Sequence, residues 1–311
     1  MPTGRESTRS SSRSSCLRFK RENFSLTATL TSGQVFRWQE VSQGTYTGWI
    51  DSHPVWIRQR NGSLTFRGTE EEAIVRFFWL DVDLPTLLAT IDVDPIVHSA
   101  VRSYFGLRLI RQEPWECLAS FILSSFNNIP RLTGMLDRLA EQFGERNRFP
   151  RAQVLAKVSE RVLRNLGLGF RAPYLKAAAE AVTQGKADLE GWKILEDEAL
   201  RRALSTIPGV GEKVVECVML FAYQRQGAFP VDVWIGRAMR RWYFKGRKAT
   251  DRQIRGFARR HFGPCCGWAQ QYLYCYARGL SKSSLQNLRY PLTPTLSREG
   301  RGKEEAGGRR Y

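Results

Sequence analysis

The sequence contains no run of about 20 uncharged apolar residues, the length that a membrane-spanning helix requires. Its amino-terminal segment is rich in serine and arginine but lacks the apolar core of a secretory signal peptide. The six cysteines have the spacing of neither a disulfide framework nor a zinc site. These absences argue against a membrane or secreted protein. We therefore expect an intracellular chain with reduced thiols, no metal centre and no cofactor.

Acidic residues are scarce, because 30 Asp and Glu stand against 48 Lys and Arg, which gives the chain a net charge of +18. The two ends explain little of this excess. Residues 1–20 hold five basic residues and one acidic residue, and residues 283–311 hold six and three. The remaining excess favours a polyanionic partner, nucleic acid first and an anionic membrane surface second. A solvated basic surface is the alternative.

The fold class that the pattern predicts is α+β, with a small antiparallel β-domain followed by a mostly helical domain. Short alternating runs separated by turn dipeptides indicate a β-rich domain with the first helices over residues 16–100. These runs are FSLTATL, VFRWQEV, TYTGWI, PVWIRQR and SLTFRG. Helical periods continue through residues 101–282. Residues 1–15 are expected to be a disordered basic leader, and residues 283–311 an unstructured tail.

The stretch IPGVGEKVVECV, residues 207–218, connects two predicted helices through a tight turn. A helix, a PGVG turn and a second helix form a helix-hairpin-helix unit. The backbone N–H groups of Gly209, Val210 and Gly211 lie at the positive end of the second helix, where they can bind a DNA phosphate without reading sequence. An ordinary connection between helices is the alternative at this point.

Lys213 follows this turn and falls in the first turn of the second helix. Its ammonium form is disfavoured there, so more neutral amine is available to attack carbon. A lysine that only contacts phosphate is the alternative. Asp232 stands where an N-cap should, and plain capping would account for it. A carboxylate held by backbone donors also stays ionised and can stabilise a developing cation. The pair suits displacement of a base from a sugar, with a Schiff base left on the amine.

The sequence resembles the helix-hairpin-helix DNA glycosylase superfamily and, within it, the 8-oxoguanine DNA glycosylase/AP lyase family. The resemblance extends from about residue 24 to residue 280. The hairpin block identifies only the superfamily, whereas the first two of the five matching blocks are much more specific. The blocks are SGQVFRW (32–38), QEPWECLASFILSSFNNIPRLTGM (112–135), LGLGFRAPYL (166–175), IPGVGEKVVEC (207–217) with FPVDV (229–233), and GWAQQYLY (267–274).

The resemblance implies a bifunctional enzyme in which Lys213 is the nucleophile and Asp232 the carboxylate. The adenine-removing relatives lack a lysine at this position, which disfavours that activity. Two rival functions stay open at this stage. A non-catalytic helix-hairpin-helix DNA-binding protein would need the turn and the basic surface, but neither Lys213 nor Asp232. A glycosylase for a different damaged base, such as an alkylated one, would not need Lys213 and Gly33.

The resemblance also implies which residues hold the damaged base. The carbonyl of Gly33 accepts the N7–H that 8-oxoguanine has and guanine lacks, and Cys217 lies against the base. Gln270 reads the Watson–Crick edge, and Tyr274 stands where the family commonly has a stacking phenylalanine. From the pattern alone, Gly33 is a turn glycine, Cys217 a buried thiol, Gln270 a surface glutamine and Tyr274 a core aromatic.

The same resemblance predicts the contacts that open the duplex. Phe170 matches an aromatic wedge, as an apolar residue on a loop should. Arg131 and Arg171 match arginines that contact the orphaned cytosine, although either could be a phosphate contact instead. Asn127 belongs to the family's run of three asparagines.

Two positions depart from the family. Phe126 replaces the asparagine that fills the space vacated by the base, which puts specificity for the opposite cytosine in doubt. Trp234 stands where the family often has a histidine near the phosphate. The expected partner is double-stranded DNA containing an oxidised purine, with no membrane and with the protein a monomer. The expected location is the cytoplasm (the nucleoid of a bacterium) or the nucleus of a eukaryote.

Overall fold

The structure is a computed structural model that describes residues 15–18 and 23–280 of the 311-residue chain. Its amino-terminal part is one antiparallel sheet of five strands in the order β1-β5-β4-β3-β2. Between β4 and β5, Asn61 and Gly62 both have positive φ, as a two-residue hairpin turn requires. The strands are β1 Ser15–Arg18, β2 Gln39–Ser42, β3 Thr45–Ile50, β4 His53–Arg60 and β5 Ser63–Arg67.

Fourteen α-helices lie in the described part of the chain, so the predicted α+β class is confirmed. No helix among the described residues has both the length and the apolar character needed to cross a membrane. The helices are α1 Leu26–Leu30, α2 Glu71–Phe77, α3 Leu84–Ile91, α4 Pro95–Ser103, α5 Pro114–Leu123, α6 Ile129–Phe143, α7 Ala152–Leu155, α8 Glu160–Leu163, α9 Ala172–Thr183, α10 Asp197–Ser205, α11 Glu212–Phe221, α12 Val233–Trp242, α13 Asp251–His261 and α14 Cys266–Gly279.

The amino-terminal segment differs from the prediction in two places. The run FSLTATL was predicted as a strand, but Leu26–Leu30 form helix α1. Ser25 caps this helix by accepting a hydrogen bond from the Ala28 N–H, and alternation over so few residues cannot be distinguished from one helical turn. Ser15 was assigned to the disordered leader, but it begins β1 opposite Phe66 of β5. The rest of the leader and the predicted tail lie outside the described residues.

Buried side chains form two cores. The smaller core lies on the sheet and includes Ile57, Phe66 and Phe78. The larger core fills the helical part, and it also takes in Leu88 of α3 and Val97 of α4. These two helices, predicted as part of the amino-terminal domain, therefore pack into the helical core. The boundary at residue 100 stays a prediction.

A buried carboxylate on α11 joins the parts of the helical core that carry the predicted catalytic residues. Glu216 is 1% exposed, and its Oε2 accepts a 2.8 Å hydrogen bond from the Phe229 N–H. Its Oε1 accepts a hydrogen bond from Arg201 of α10, and the Nε of Arg255 on α13 lies 4.0 Å away. Glu216 thereby fixes the segment that leads to Asp232 against the helix that carries Lys213.

The buried amide side chain of Gln34 holds the loop that contains Gly33 in place. The Gln34 side chain is fully buried, and its Nε2 donates to the Ser32 hydroxyl and the Arg108 carbonyl at 2.8 and 2.9 Å. Its Oε1 accepts from the Ile110 N–H at 2.9 Å. Gln271 of α14 donates to the Ser32 carbonyl at 3.0 Å. The loop is therefore held against the helical part from two sides.

Replacing Glu216 with alanine should strongly destabilise the protein. The change leaves Arg201 and Arg255 without their buried partner and the Phe229 N–H unsatisfied, and breaking a buried pair in this way costs about 3–5 kcal/mol. Glu212→Ala is the matched control, because the exposed Glu212 carboxylate pairs with the same Arg255, and a carboxylate in contact with solvent contributes about 0–1 kcal/mol. The free energy of unfolding in urea measures both. Equal effects would show that Glu216 does not have this role.

Candidate active site

Lys213 is the second residue of α11, so it lies in the first helical turn as predicted. Its Nζ donates a 2.8 Å hydrogen bond to the Ser124 hydroxyl, which follows the end of α5. The same Nζ lies 4.8 Å from the centroid of the Phe121 ring. The hydroxyl and the ring face hold the amine in one place. Both interact favourably with a positive charge, whereas the N-terminal end of the helix dipole disfavours it.

Asp232 is the N-cap of α12, also as predicted, and its Oδ1 accepts a 2.8 Å hydrogen bond from the Ile235 N–H. Burial raises the pKa of the Asp232 carboxyl above its ordinary value. The Ile235 N–H, Lys213 and Arg278 act in the opposite direction. We expected the backbone donors to determine this balance, but burial has the largest effect.

Lys213 and Asp232 line one cavity of about 810 Å³, whose walls come from the Gly33 loop, the segment between α5 and α6, α11, the start of α12, and α14. All six residues predicted to act on the sugar or to hold the base line this cavity. They are Gly33, Lys213, Cys217, Asp232, Gln270 and Tyr274. The structure therefore brings together residues separated by up to 241 positions in the chain.

The side chains around this cavity combine apolar surface with a buried polar atom that lacks a partner in the described part of the chain. Burial raises the pKa of the Cys217 thiol to about 11 and that of the Tyr274 hydroxyl to about 12, so both are neutral near pH 7. Gln270 is 4% exposed, and its Oε1 has no hydrogen-bond partner in the described part of the chain. Gly33 has a φ of +79°, and a Cβ there would lie 3.2 Å from the Tyr274 hydroxyl oxygen. A flat ring with polar edges suits such a cavity.

Two residues that contact the predicted site residues escaped the sequence analysis. Ser124 is hydrogen-bonded to Lys213, although 89 positions separate them. A serine at a helix end is common, so no local signal identified it. Arg278 lies one turn after Tyr274, and its guanidinium carbon is 5.2 Å from the centroid of the Tyr274 ring. The (i, i+4) spacing on α14 could have indicated this contact.

A second groove of about 500 Å³ runs beside the hairpin turn, and it is lined by residues 209–211 together with Phe126, Phe170 and Arg171. Phe170 is 49% exposed, as a wedge residue should be. Arg171 is only 2% exposed, and it donates from its three nitrogens to backbone carbonyls. The predicted contact of Arg171 with a base stays a prediction, and its guanidinium is already engaged within the protein.

Of the three remaining predicted residues, two line the cavity and one does not. Asn127 lines the catalytic cavity, but its Nδ2 donates to the Leu123 carbonyl at 3.1 Å. Trp234 lines the cavity from the first turn of α12. Arg131 is exposed in the first turn of α6 and lines neither cavity nor groove. No group of three or more potential metal ligands from His, Cys, Asp and Glu occurs within residues 15–18 and 23–280.

Comparison with known proteins relates this arrangement to DNA repair. Residues 16–118 match the family described as "8-oxoguanine DNA glycosylase, N-terminal domain", and residues 119–264 match the "HhH-GPD superfamily base excision DNA repair protein" family. The N-glycosylase/DNA lyase OGG1 of Arabidopsis thaliana is 31% identical over 306 residues, which cover 89% of this chain and 83% of that protein.

Two solved structures are similar over most of both chains. MBOgg1 in complex with a low affinity DNA ligand has a TM-score of 0.81 and 33% identity, covering 85% of this chain and 95% of the other. The Clostridium acetobutylicum 8-oxoguanine glycosylase/lyase, in complex with double-stranded DNA containing cytosine opposite 8-oxoG, has a TM-score of 0.79 and 33% identity, covering 83% and 92%.

Asp232→Asn should remove the function of the carboxylate and yet stabilise the fold. Asparagine caps a helix as well as aspartate does, and the change removes a buried charge. Because the folded-state pKa is raised, the ionised carboxyl destabilises the fold above that pKa, and the penalty disappears as the pH falls through it. The melting temperature of the variant should thus exceed that of the wild type at pH 8, and the difference should shrink toward pH 4. A difference that grows on acidification would contradict this assignment.

Proposed function

Since the chain belongs to the 8-oxoguanine DNA glycosylase family of the helix-hairpin-helix superfamily, we propose that its cavity receives an oxidised purine flipped out of duplex DNA. The protein is an N-glycosylase/DNA lyase that acts on 8-oxoguanine. The observation that carries the assignment of residues is the shared cavity. The cavity contains the Lys213 amine, which is hydrogen-bonded to Ser124, and the carboxylate of Asp232, which caps α12.

The reaction begins when the duplex binds to the basic surface and the N–H groups of Gly209 and Gly211 hold a phosphate. The Val210 N–H, which was predicted to take part, instead donates to the Ile207 carbonyl at 3.1 Å. The lesion nucleotide rotates into the cavity. The neutral amine of Lys213 attacks C1′, and the bond from C1′ to the base breaks as the departing base takes up a proton. Asp232 stabilises the positive charge that develops on the sugar. Its position at an N-cap fixes the carboxylate before substrate arrives.

The covalent intermediate then cleaves the strand. The sugar ring opens, the amine loses a proton, and a Schiff base remains between Lys213 and C1′. Removal of a proton from C2′ drives β-elimination, in which the C3′–O bond breaks and the 3′ phosphate leaves. The nick therefore forms on the 3′ side of the lesion, and the Schiff base is finally hydrolysed to free the amine.

Selection of the oxidised base depends on the wall opposite the catalytic pair. The Gly33 carbonyl accepts the N7–H of 8-oxoguanine, whereas guanine would present a lone pair to it and leave the carbonyl unsatisfied. The amide of Gln270, whose Oε1 has no partner in the described part of the chain, reads the Watson–Crick edge. Cys217 and Tyr274, both neutral, contact the faces of the base. A non-catalytic DNA-binding protein would have no use for this cavity or for the two polar groups within it.

Lys213→Gln should abolish covalent trapping. Borohydride reduces a Schiff base to a stable adduct, so wild-type protein incubated with a duplex carrying 8-oxoguanine should form a protein–DNA adduct that the variant lacks. Lys193→Gln is the matched control, because Lys193 forms an exposed pair with Glu190 and lines neither cavity nor groove. Electrophoresis under denaturing conditions measures the adduct. Equal trapping by the Lys213 variant would exclude this residue as the nucleophile.

Alanine substitutions in the hairpin should separate folding from DNA binding. Gly211 has an ordinary φ, and a Cβ there meets nothing within 4 Å, so Gly211→Ala should fold normally but bind duplex about tenfold more weakly through its obstructed phosphate contact. Gly209 has a φ of +81°, and its Cβ would lie 2.5 Å from the Tyr174 Cβ, so Gly209→Ala should be destabilised as well. Fluorescence anisotropy and melting temperature measure the two properties. Full affinity in Gly211→Ala would argue against phosphate binding at this turn.

A further inference from the structure

The hydroxyl of Tyr274 is a polar group of the catalytic cavity that the proposed reaction leaves unused. Tyr274 belongs to α14 and lines the cavity. The family resemblance assigns a role only to its ring, because phenylalanine is common at this position and has no hydroxyl. The oxygen atom is therefore an addition in this chain, and its neighbours determine what it can bind.

The hydroxyl lies beside the loop that contains Gly33. A Cβ on Gly33 would lie 3.2 Å from the Tyr274 hydroxyl oxygen and 3.3 Å from the Cε1 atom of the same ring. The absence of a side chain at Gly33 thus leaves room for the hydroxyl end of the ring. Gln34 and Gln271 hold this loop through their hydrogen bonds to Ser32. The hydroxyl consequently has a fixed place next to the Gly33 backbone.

The proton of this hydroxyl has no acceptor in the part of the chain that the structure describes. The Nη1 atom of Arg278 donates to the hydroxyl oxygen over 3.5 Å, so this contact uses a lone pair of the oxygen and not its proton. Burial and, to a smaller extent, the charge of Asp232 raise the pKa of the Tyr274 hydroxyl to about 12. The group therefore stays protonated at neutral pH and is an available donor.

The Gly33 carbonyl is an available acceptor beside this donor. No donor among residues 15–18 and 23–280 forms a hydrogen bond to it. The carbonyls on either side, those of Ser32 and Gln34, both accept from side-chain amides. Polar groups that line a cavity and have no partner within the protein are available to a ligand. One wall of the cavity thus offers an acceptor and a donor next to each other.

The five-membered ring of 8-oxoguanine has the complementary pattern on adjacent atoms. Its N7–H is a donor, and the oxygen on C8 is an acceptor. Guanine has a lone pair at N7 and a hydrogen on C8, so it matches neither group of the wall. A carbonyl alone reads only the proton on N7. A hydroxyl beside that carbonyl also reads the oxygen, and it would be left without a partner opposite guanine.

We propose that the Tyr274 hydroxyl donates a hydrogen bond to the C8 oxygen of 8-oxoguanine and makes Tyr274 a specificity-determining residue for the oxidised base. This proposal rests on the proposed function, because it presupposes that the base enters the cavity with its N7–H on the Gly33 carbonyl. Arg278 holds the ring in place, since its guanidinium carbon lies 5.2 Å from the ring centroid.

Tyr274→Phe tests this role because it removes only the hydroxyl. The second-order rate constant for excision of 8-oxoguanine should fall about tenfold, as expected for the loss of one hydrogen bond. A duplex carrying 8-thioxoguanine provides the comparison, since this base keeps N7–H but has sulfur, a weak acceptor, on C8. The wild type should excise the oxo base faster than the thioxo base, and the variant should lose most of that preference. Unchanged excision, or an equal loss on both bases, would overturn the proposal.

Two controls separate the proposal from its premise. Tyr276→Phe makes the same change on the same helix at a side chain that lines neither cavity nor groove, and it should leave both rates unchanged. Borohydride trapping at a preformed abasic site requires no base, so Tyr274→Phe should trap as well as the wild type. Failure of the wild type to trap would overturn the proposed function. Failure of the Tyr274 variant alone would overturn the role in base reading, because the hydroxyl would then act on the Lys213 chemistry.

Discussion

The buried carboxylate of Glu216 is the constraint on which the geometry of the site depends. Lys213 lies on α11 and Asp232 at the start of α12, and the Glu216 side chain joins α11 to the segment that leads into α12. Glu216 lies one turn after Lys213, and its Oε2 accepts from Phe229, three residues before Asp232. A buried ion pair adds little net stability compared with an apolar contact of the same shape. Its directional hydrogen bonds determine position, which is what this site requires.

In the cavity, burial and neighbouring charges have opposite effects on the ionisation of Asp232. Burial favours the neutral form of Asp232, whereas a sugar cation needs the ionised form, and neighbouring Lys213 and Arg278 favour that form. The same burial keeps the Cys217 thiol neutral beside the amine. A site assembled for stability alone would not place an ionisable carboxyl here. In the proposed reaction, this arrangement gives up folding free energy for a charge that is useful only when positive charge develops on the substrate.

The sequence was most informative where local rules decide the structure. A PGVG turn, a lysine in the first turn of a helix and an aspartate at an N-cap are short-range patterns, and the structure places Lys213 and Asp232 accordingly. The matching blocks gave the residues predicted to hold the base, and no periodicity could have shown that they line one cavity. The contact of Ser124 with Lys213 spans 89 positions, so it depends on how α5 packs against α11. Helix α1 was missed because one turn carries too little periodicity to be distinguished from a strand.

Arg171 shows most clearly what could not be predicted from the sequence, because sequence matching gave its identity but not the direction of its guanidinium. The direction of the guanidinium affects which contacts could distinguish damaged from normal DNA. In the proposed function, the basic surface and the hairpin N–H groups contribute affinity that does not depend on the DNA sequence. The Arg171 guanidinium is bound to the carbonyls of Ser125 and Phe126 and is therefore directed into the protein. In the proposed function, discrimination between damaged and normal DNA comes chiefly from the cavity, where the Gly33 carbonyl would meet the atom by which 8-oxoguanine and guanine differ.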